Sequence, residues 1–524
     1  MTASPKPYTI IVIGPAAPLP REGFQTKIIP VSSANDALCL LRPMLWIPVA
    51  PELCPGGGIP LAPERMKDLT PDGIVQSVKY LKDLDAARDF IRRTGAEPAH
   101  IAQAIREKWP GLPLDLSYQE GPAEKTPESR VDDILSMVAM GGAQSSPVPG
   151  NDANGPKAWA LAIDKLLSDI ITIIFSNQAF RDLERTWRGI DLIVRQGPAG
   201  ESKATRLAIV NAAFENLPEV LSDLGARWEN DPPDLVVIEH PFDNSPVSME
   251  GISGVASFAE NLLVPTIIDI SARFLGIGDW EGIAHLPYLS HHIEDNPIYA
   301  GWTRLRSLPE CNWLCGACNR FLVRSAYRKE DPGQSISFDE PDLLYISPVF
   351  AVATLAAQSV SACGWPSRLT DNGNVCLEGL GLHSSGGGTT QASTEIIFSV
   401  DRLRQAGEIG LTPLEGALMR DIAFLPEARV VSGEPLAFQM LFSRLTGFLI
   451  RLREEYGGSI ATEDAASKLA EALDMFFRLS GGHIPSDLSV QENDGNQNRS
   501  FGIDFTPPAA IIAGSRRVSF TFSW

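Results

Sequence analysis

The sequence lacks most of the short motifs that mark an enzyme. No G-x-G-x-x-G follows the first predicted strand, no lysine accompanies the glycine runs at 56–58 and 386–388, and no G-x-S-x-G elbow occurs. The seven cysteines are few and odd in number, which excludes the dense disulfide framework of a small secreted domain. We therefore predict a cytoplasmic protein that has no recognisable active site and needs no cofactor.

Positive charge is also scarce. The chain has 44 Lys and Arg against 64 Asp and Glu, which gives a net charge of −20. Nucleic acids and anionic membrane surfaces are polyanions, so this balance argues against both as main partners. The uncharged stretch at 343–367 contains several Ser, Thr and Gln, and therefore predicts a buried helix rather than a membrane span. The apolar run before Pro15 is too short for a signal peptide.

One group of cysteines has a spacing that could suit a metal: Cys311, Cys315 and Cys318. A structural zinc site usually adds a second Cys pair or paired His, and the sequence contains no second pair of this kind. We interpret the three as small buried thiols. A metal-dependent enzyme that uses them is the alternative from another class of function.

Hydrophobic patterns and linker composition divide the chain into three parts. Residues 1–118 contain a β-rich run, Tyr8 to Gly14, followed by helical patterns, and predict a small first domain. Residues 119–156 read as a linker. Residues 157–524 alternate helical patterns with strand patterns, including a predicted strand at 393–400. The fold class is therefore α/β, in a mixed α+β arrangement.

The linker contains one amphipathic segment, residues 131–140. Four apolar residues recur there at i, i+3, i+4 and i+7, the spacing of one helix face. They are Val131, Ile134, Leu135 and Val138. Two interpretations stay open: a docked connecting helix, and an exposed recognition helix for another protein.

The last residues, RRVSFTFSW, alternate as a strand does. Val518, Phe520, Phe522 and Trp524 fall on one side, with serine and threonine on the other. No hairpin partner follows in this sequence. We therefore expect the strand to pair with an earlier segment or with another molecule.

Several motifs, in the same order along the chain, resemble the large subunit of the contractile sheath of type VI secretion. Residues 180–190, FRDLERTWRGI, are similar to its F-x-x-L-E-x-x-W-R-G-L signature. WTRLR at 302–306, RFLVRSAY at 320–327, STEI at 393–396 and LFSRL at 441–445 are similar to later elements of the family. Asn319 departs from the proline that is frequent there. The residues of this family-signature core are Phe180, Leu183, Glu184, Trp187, Arg188 and Gly189.

The first part of the chain resembles the small subunit of the same sheath. MKDLTPDGIV at 66–75, followed by Leu81, Leu84 and Arg88, is similar to that subunit's D-F-x-P-x-x-(I/L) helix and its L-x-x-L-x-x-x-R pattern. The run from Tyr8 to Gly14 is similar to its early strand. The resemblance therefore implies the small and large subunits fused in one chain.

The resemblance implies a structural subunit and no catalytic or metal-binding residue. Copies would polymerise into a helical sheath around an inner tube protein, assemble on baseplate proteins, and contract to drive the tube through a target envelope. An AAA+ unfoldase could recognise the helix at 131–140. The alternative is the sheath of a phage-tail-like contractile injection particle. The family implies terminal strands shared between subunits, and we assign them to Ile10, Ile11, Val12, Ile13, Val518, Phe520, Phe522 and Trp524.

Overall fold

The computed structural model describes residues 6–19, 25–116, 155–200, 203–331, 335–384, 391–456, 465–493, 499–514 and 516–524. The strands within this part of the chain are β1 Tyr8–Gly14, β2 Ile28–Val31, β3 Leu45–Pro48, β4 Gly58–Leu61, β5 Thr205–Asn211, β6 Leu235–Phe242, β7 Thr266–Ile270, β8 Leu314–Cys318, β9 Phe321–Leu322, β10 Tyr345–Ile346, β11 His383–Ser384, β12 Gln391–Ala392, β13 Leu411–Pro413, β14 Glu415–Gly416, β15 Ala423–Phe424, β16 Ser489–Asn493, β17 Ser500–Phe505 and β18 Val518–Ser523. The α-helices are α1 Ala34–Leu41, α2 Pro71–Ser77, α3 Lys79–Arg93, α4 Pro98–Lys108, α5 Pro156–Ser176, α6 Gln178–Gln196, α7 Leu217–Trp228, α8 Pro246–Leu262, α9 Leu289–Glu294, α10 Ala300–Arg306, α11 Pro348–Cys363, α12 Val400–Glu408, α13 Leu436–Tyr456 and α14 Ala465–Leu479.

The centre of the molecule is a seven-stranded sheet with the order β13-β8-β7-β6-β1-β5-β2. Every neighbouring pair is parallel except β2 with β5, which is antiparallel. Helices cover both faces, as parallel sheets require, because the crossover connections place a helix on one face or the other. The mixed α/β class predicted from the sequence is confirmed.

Strand β1 lies in the middle of this sheet. It pairs along its length with β5 on one side and, through Ile10 to Ile13, with β6 on the other. Ile10 and Val12 belong to the hydrophobic cluster on one face, whereas Ile11 and Ile13 belong to the cluster on the opposite face. Burial on both faces explains why the run is continuously apolar.

The position of β1 corrects one prediction. A strand shared with a neighbouring subunit must have a free edge, and the main-chain groups of Ile10 to Ile13 are paired within this chain on both sides. The assignment of Ile10, Ile11, Val12 and Ile13 as an inter-subunit strand is therefore wrong for the fold seen here. The sequence could not distinguish a central strand from a shared one, because both require apolar, β-branched residues.

Helix α11 corresponds to the uncharged stretch at 343–367, and the predicted buried helix is confirmed. Its hydroxyl groups find acceptors inside the protein: Thr354 Oγ1 donates to the Phe350 carbonyl at 2.7 Å, and Ser359 Oγ donates to the Trp365 carbonyl at 2.6 Å. A buried polar group that is hydrogen-bonded costs little stability. No helix in the described part of the chain is long and apolar enough to cross a membrane.

The strand predicted at 393–400 is wrong. Strand β12 ends at Ala392, no strand is assigned over 393–399, and α12 begins at Val400, capped by the Ser399 side chain. The segment makes only a short main-chain contact with β9: the Leu322 amide donates to the Ser393 carbonyl at 2.8 Å, and an isolated antiparallel bridge joins Phe321 and Thr394. Beyond it, Asn319 Nδ2 donates to the Ile396 carbonyl at 2.9 Å, and Asn319 Oδ1 accepts from the Ile396 amide. An amide side chain thus takes over the pairing where the main-chain contact with β9 ends.

The C-terminal part forms a separate hydrophobic cluster. Helices α13 and α14 pack against β17 and β18, in a three-stranded sheet of order β16-β17-β18. Arg444 of α13 joins this part to the central sheet. Its Nη1 lies 3.4 Å from Oδ1 of the buried Asp234, and its guanidinium lies 5.6 Å from the ring centre of Tyr8 at the start of β1.

Candidate functional site

The family-signature core lies on α6 and is buried. Phe180, Leu183 and Trp187 are at most 3% exposed, and they fall at the i, i+3 and i+7 positions of one helix face. Trp187 Nε1 donates to the Ala16 carbonyl at 2.8 Å, just after β1. The signature therefore fixes α6 against the first segment of the chain and does not form a surface site.

Gly189 completes this packing. A Cβ atom at this position would lie 2.3 Å from the ring of Phe350 on α11, a distance that real Cβ atoms do not show. The glycine lets the two helices approach closely. Its place in the signature is thus explained by close packing and not by any special backbone conformation.

A network of buried charges surrounds Glu184. Its carboxylate accepts from Arg324 Nε at 2.9 Å and Nη2 at 3.1 Å, and from Arg188 Nε at 3.1 Å. Arg324 also donates to Glu340, through Nη1 at 2.6 Å and Nη2 at 2.9 Å. The side chains of Glu184 and Glu340 are 0% exposed. Two segments that resemble the family separately, 180–190 and 320–327, meet at this point.

Charges this deeply buried persist only when they are paired and hydrogen-bonded. Burial alone would lower the pKa of Arg324. The carboxylates of Glu184 and Glu340 outweigh burial, so the pKa of Arg324 is raised above its ordinary value. Arg181 adds a third cation, 3.8 Å from Glu340, and its guanidinium also donates to the carbonyls of Asp342 and Leu343. Glu340 was not predicted from the sequence, since nothing in its neighbourhood matches a motif.

A second set of acidic groups lies at the carboxyl ends of the parallel strands. Burial raises the pKa of Glu239 in β6 to about 8 and that of Asp269 in β7 to about 6. Oε2 of Glu239 has no hydrogen-bond partner within the part of the chain that the structure describes, and a Cβ at Gly14 would lie 2.9 Å from it. Sequence reasoning missed both acids. A usable signal was present, because each one interrupts an apolar strand run.

The three cysteines do not converge. Cys315 belongs to the hydrophobic cluster on one face of the sheet, whereas Cys311 and Cys318 belong to the cluster on the other. Burial raises the pKa of Cys315 to about 12. No group of three metal-binding side chains occurs among the described residues. The alternative of a metal enzyme built on these cysteines therefore has no support.

Strand β18 is at the edge of its sheet. It pairs with β17 in antiparallel register, from Ser500 opposite Ser523 to Phe505 opposite Val518. Its apolar face packs on this chain's own helices: Val518 is 3% exposed, and the Phe520 ring lies 5.0 Å from that of Phe442 in α13. The predicted alternation is confirmed, and the partner is an earlier strand of the same chain. The other edge of β18 has no partner strand among the described residues.

The amphipathic segment 131–140, with Val131, Ile134, Leu135 and Val138, lies outside the described residues. Its assignment as an unfoldase-recognition helix stays a prediction. The division of the chain at residues 118 and 157 stays a prediction as well.

The middle of the chain matches a known protein family. Residues 228–431 match the VipB family model, described as EvpB/VC_A0108, tail sheath N-terminal domain. This segment runs from the end of α7 to the segment that follows β15, and it contains β6, β7 and β8 of the central sheet. The predicted resemblance to a sheath large subunit is confirmed for this part of the chain.

A curated relative extends the likeness. The type VI secretion system sheath protein TssC1 of Pseudomonas aeruginosa is 24% identical over 325 residues, which cover 55% of this chain. The match spans 64% of the relative's own length.

Among solved structures, the chain is similar to the sheath tail protein Lin1278 of Listeria innocua, with a TM-score of 0.33, 10% identity and coverage of 58% and 59% of the two chains. It is also similar to a chain of the anti-feeding prophage baseplate, with a TM-score of 0.35, 8% identity and coverage of 64% and 76%.

Proposed function

We propose that this protein is the structural subunit of a contractile sheath of the type VI secretion kind. Copies would polymerise into a helical tube around an inner tube protein, on a baseplate, and contraction would drive the inner tube outward. The match of residues 228–431 to a tail sheath domain carries this proposal. The sheath needs no catalytic centre, because the work is done by two packings of the same subunits that differ in free energy.

We also propose that one chain combines the small and large sheath subunits. Two contacts support a permanent association of the first segment with the rest. Strand β1 sits between β5 and β6, and Arg88 of α3 donates to Asp164 of α5 at 3.3 Å. Joining the parts in one chain gives the docking an effective concentration on the order of mM. It also fixes their ratio at one to one.

The free edge of β18 is the proposed contact between subunits. Trp524 N donates to the Arg499 carbonyl of the neighbouring segment, so its N–H points inward. In an antiparallel pair the inward and outward groups alternate, and the N–H groups of Ser519, Thr521 and Ser523 therefore point away from β17. A strand from another copy could pair with these groups and continue the sheet.

Electron microscopy of the concentrated protein tests the sheath proposal. We expect hollow helical tubes or rings. The variant Thr521→Pro removes one outward N–H and leaves the pairing with β17 in place, since proline is tolerated on an edge strand when its nitrogen faces away from the sheet. It should prevent polymer formation with little change in the thermal melt. The matched variant Thr521→Val keeps the N–H and should still assemble.

Two results would contradict these proposals separately. A strictly monomeric wild-type protein, at high concentration and in several salts, would argue against the sheath subunit itself. Normal polymers of Thr521→Pro would leave the sheath in place but reject the edge of β18 as the contact.

A further inference from the structure

The outer side of α7 and α8 carries a long groove that the sheath proposal does not use. The groove has a volume of about 860 Å³, and its floor is apolar. Leu217, Leu221 and Phe258 line it from the two helices, and each also belongs to the hydrophobic cluster beneath. The groove is thus the open surface of a packed helix pair.

The groove follows the whole of α7. Residues 217, 221, 225 and 229 line it at intervals of four, which is one face of a helix from its first turn to just past its last. Twelve residues of helix extend for about 18 Å, or roughly three turns. A helix of similar length fits a groove of this shape, as in other cases where an amphipathic helix binds between two helices.

Small residues keep the groove open. A Cβ added to Gly254 on α8 would meet no atom within 4 Å, and one added to Gly225 on α7 would touch only Phe258, at 3.9 Å. Ser257 lines the same side. A partner backbone can therefore approach α8 closely without displacing any side chain of this protein.

The charge on the groove has one sign. Glu215, Glu229 and Glu250 line it and are exposed, and the lining residues include no lysine, arginine or histidine. Within the described ranges, none of these three carboxylates forms an ion pair with a cation. A neighbouring arginine on α7, Arg227, does not line the groove and pairs with Asp223 at 2.8 Å.

We propose that this groove binds an amphipathic helix of a partner protein, in which lysine or arginine flanks an apolar face. The apolar floor would take the apolar face, and the three carboxylates would meet the flanking cations. An acidic binding surface repels acidic partners, and it speeds the encounter with basic ones. The proposal depends on the groove alone, and it stands or falls independently of sheath assembly.

Binding of two synthetic helical peptides to the full-length protein tests the proposal. Both have about 14 residues with leucine and alanine on one face; one carries lysine at the flanking positions and the other glutamate. Fluorescence anisotropy should show the lysine peptide binding at least about tenfold more tightly, since three partly screened ion pairs, each weak by itself, add up. Raising the salt concentration should weaken its binding.

Variants place the binding in the groove. Gly254→Trp should abolish binding of the lysine peptide by filling the open space, and Gly447→Trp is its matched control. Gly447 lies in α13, where an added Cβ likewise meets nothing within 4 Å. Glu229→Gln, just past the end of α7, should weaken binding about threefold, whereas Glu219→Gln, on α7 but outside the groove, should not.

Three results would overturn the proposal. Equal binding of the two peptides would show that charge does not select the partner. Unchanged binding to Gly254→Trp would place the peptide elsewhere on the acidic surface. A changed sedimentation profile of Gly254→Trp without peptide, with Gly447→Trp unaffected, would assign the groove to a second copy of this chain.

Discussion

Neutralising Glu184 should be among the most damaging single changes in this protein. Its carboxylate is 0% exposed and accepts hydrogen bonds from Arg324 and Arg188. In Glu184→Gln the amide fills a similar volume but carries no charge. Arg324 and Arg181 would then share the carboxylate of Glu340, and Arg188 would lose the carboxylate to which it donates.

The size of the effect follows from burial. Breaking a buried ion pair by removing one partner costs about 3–5 kcal/mol, because the remaining charge stays out of water without compensation. A folded domain is stable by only about 5–15 kcal/mol, so the loss would be a large part of the total. An exposed pair gives the contrast: Asp223 and Arg227 are 39% and 48% exposed, and Asp223→Asn should cost less than about 1 kcal/mol.

Urea unfolding, followed by tryptophan fluorescence, measures both changes. The double variant Glu184→Gln with Arg324→Met should lose less stability than the sum of the two single variants, because the second change removes the charge that the first leaves unpaired. A loss below about 1 kcal/mol for Glu184→Gln, or strict additivity in the double variant, would refute the account of this network.

Three further outcomes are expected. Stability should fall as the pH rises from about 5 to 8, because burial raises the pKa of Glu239 to about 8 while the unfolded chain releases that proton near 4.5. In urea titrations at pH 7, Glu239→Gln should be more stable than the wild type by roughly 3 kcal/mol, and the same dependence of stability on pH in both proteins would contradict this. Gly189→Ala should be at least about 2 kcal/mol less stable than the control Gly254→Ala, since its new methyl group meets the Phe350 ring. Removing residues 516–524 should lower the melting temperature, because β18 packs on its own chain, and an unchanged melt would show that it does not.

Helix boundaries illustrate what local sequence can predict. Thr70 caps α2 by accepting a hydrogen bond from the Gly73 amide at 3.2 Å, and Pro71 is its first residue. Both features depend only on neighbouring residues, so the sequence predicts them. The break at Val78, which ends α2 and precedes α3, has no such local signal. A single continuous helix fits the apolar spacing equally well, and packing against the rest of the fold decides the break.

In the candidate site, too, neighbouring residues predict some features, and only the packing of distant segments decides the others. The burial of Phe180, Leu183 and Trp187 follows from their spacing on one helix face. The pairing of Glu184 with Arg324 joins residues that are 140 positions apart, and that of Arg324 with Glu340 depends on how an irregular segment folds over α6. No local pattern encodes such contacts, because they form only when distant segments reach the same place.

The sequence by itself determined the mixed α/β class, the buried helix within residues 343–367 and the alternating apolar face of the last strand. Each of these is a periodicity, and periodicity is fixed by the backbone geometry of helices and strands. Only the tertiary structure decided which edges are free. An apolar run such as Ile10 to Ile13 suits a central strand or a shared one equally well, and the difference lies in which main-chain groups are already paired. The main-chain groups of β1 are paired with parallel strands on both sides, so a strand of another copy cannot pair with them. Within the described residues β18 is paired only with β17, and its other side presents outward N–H groups.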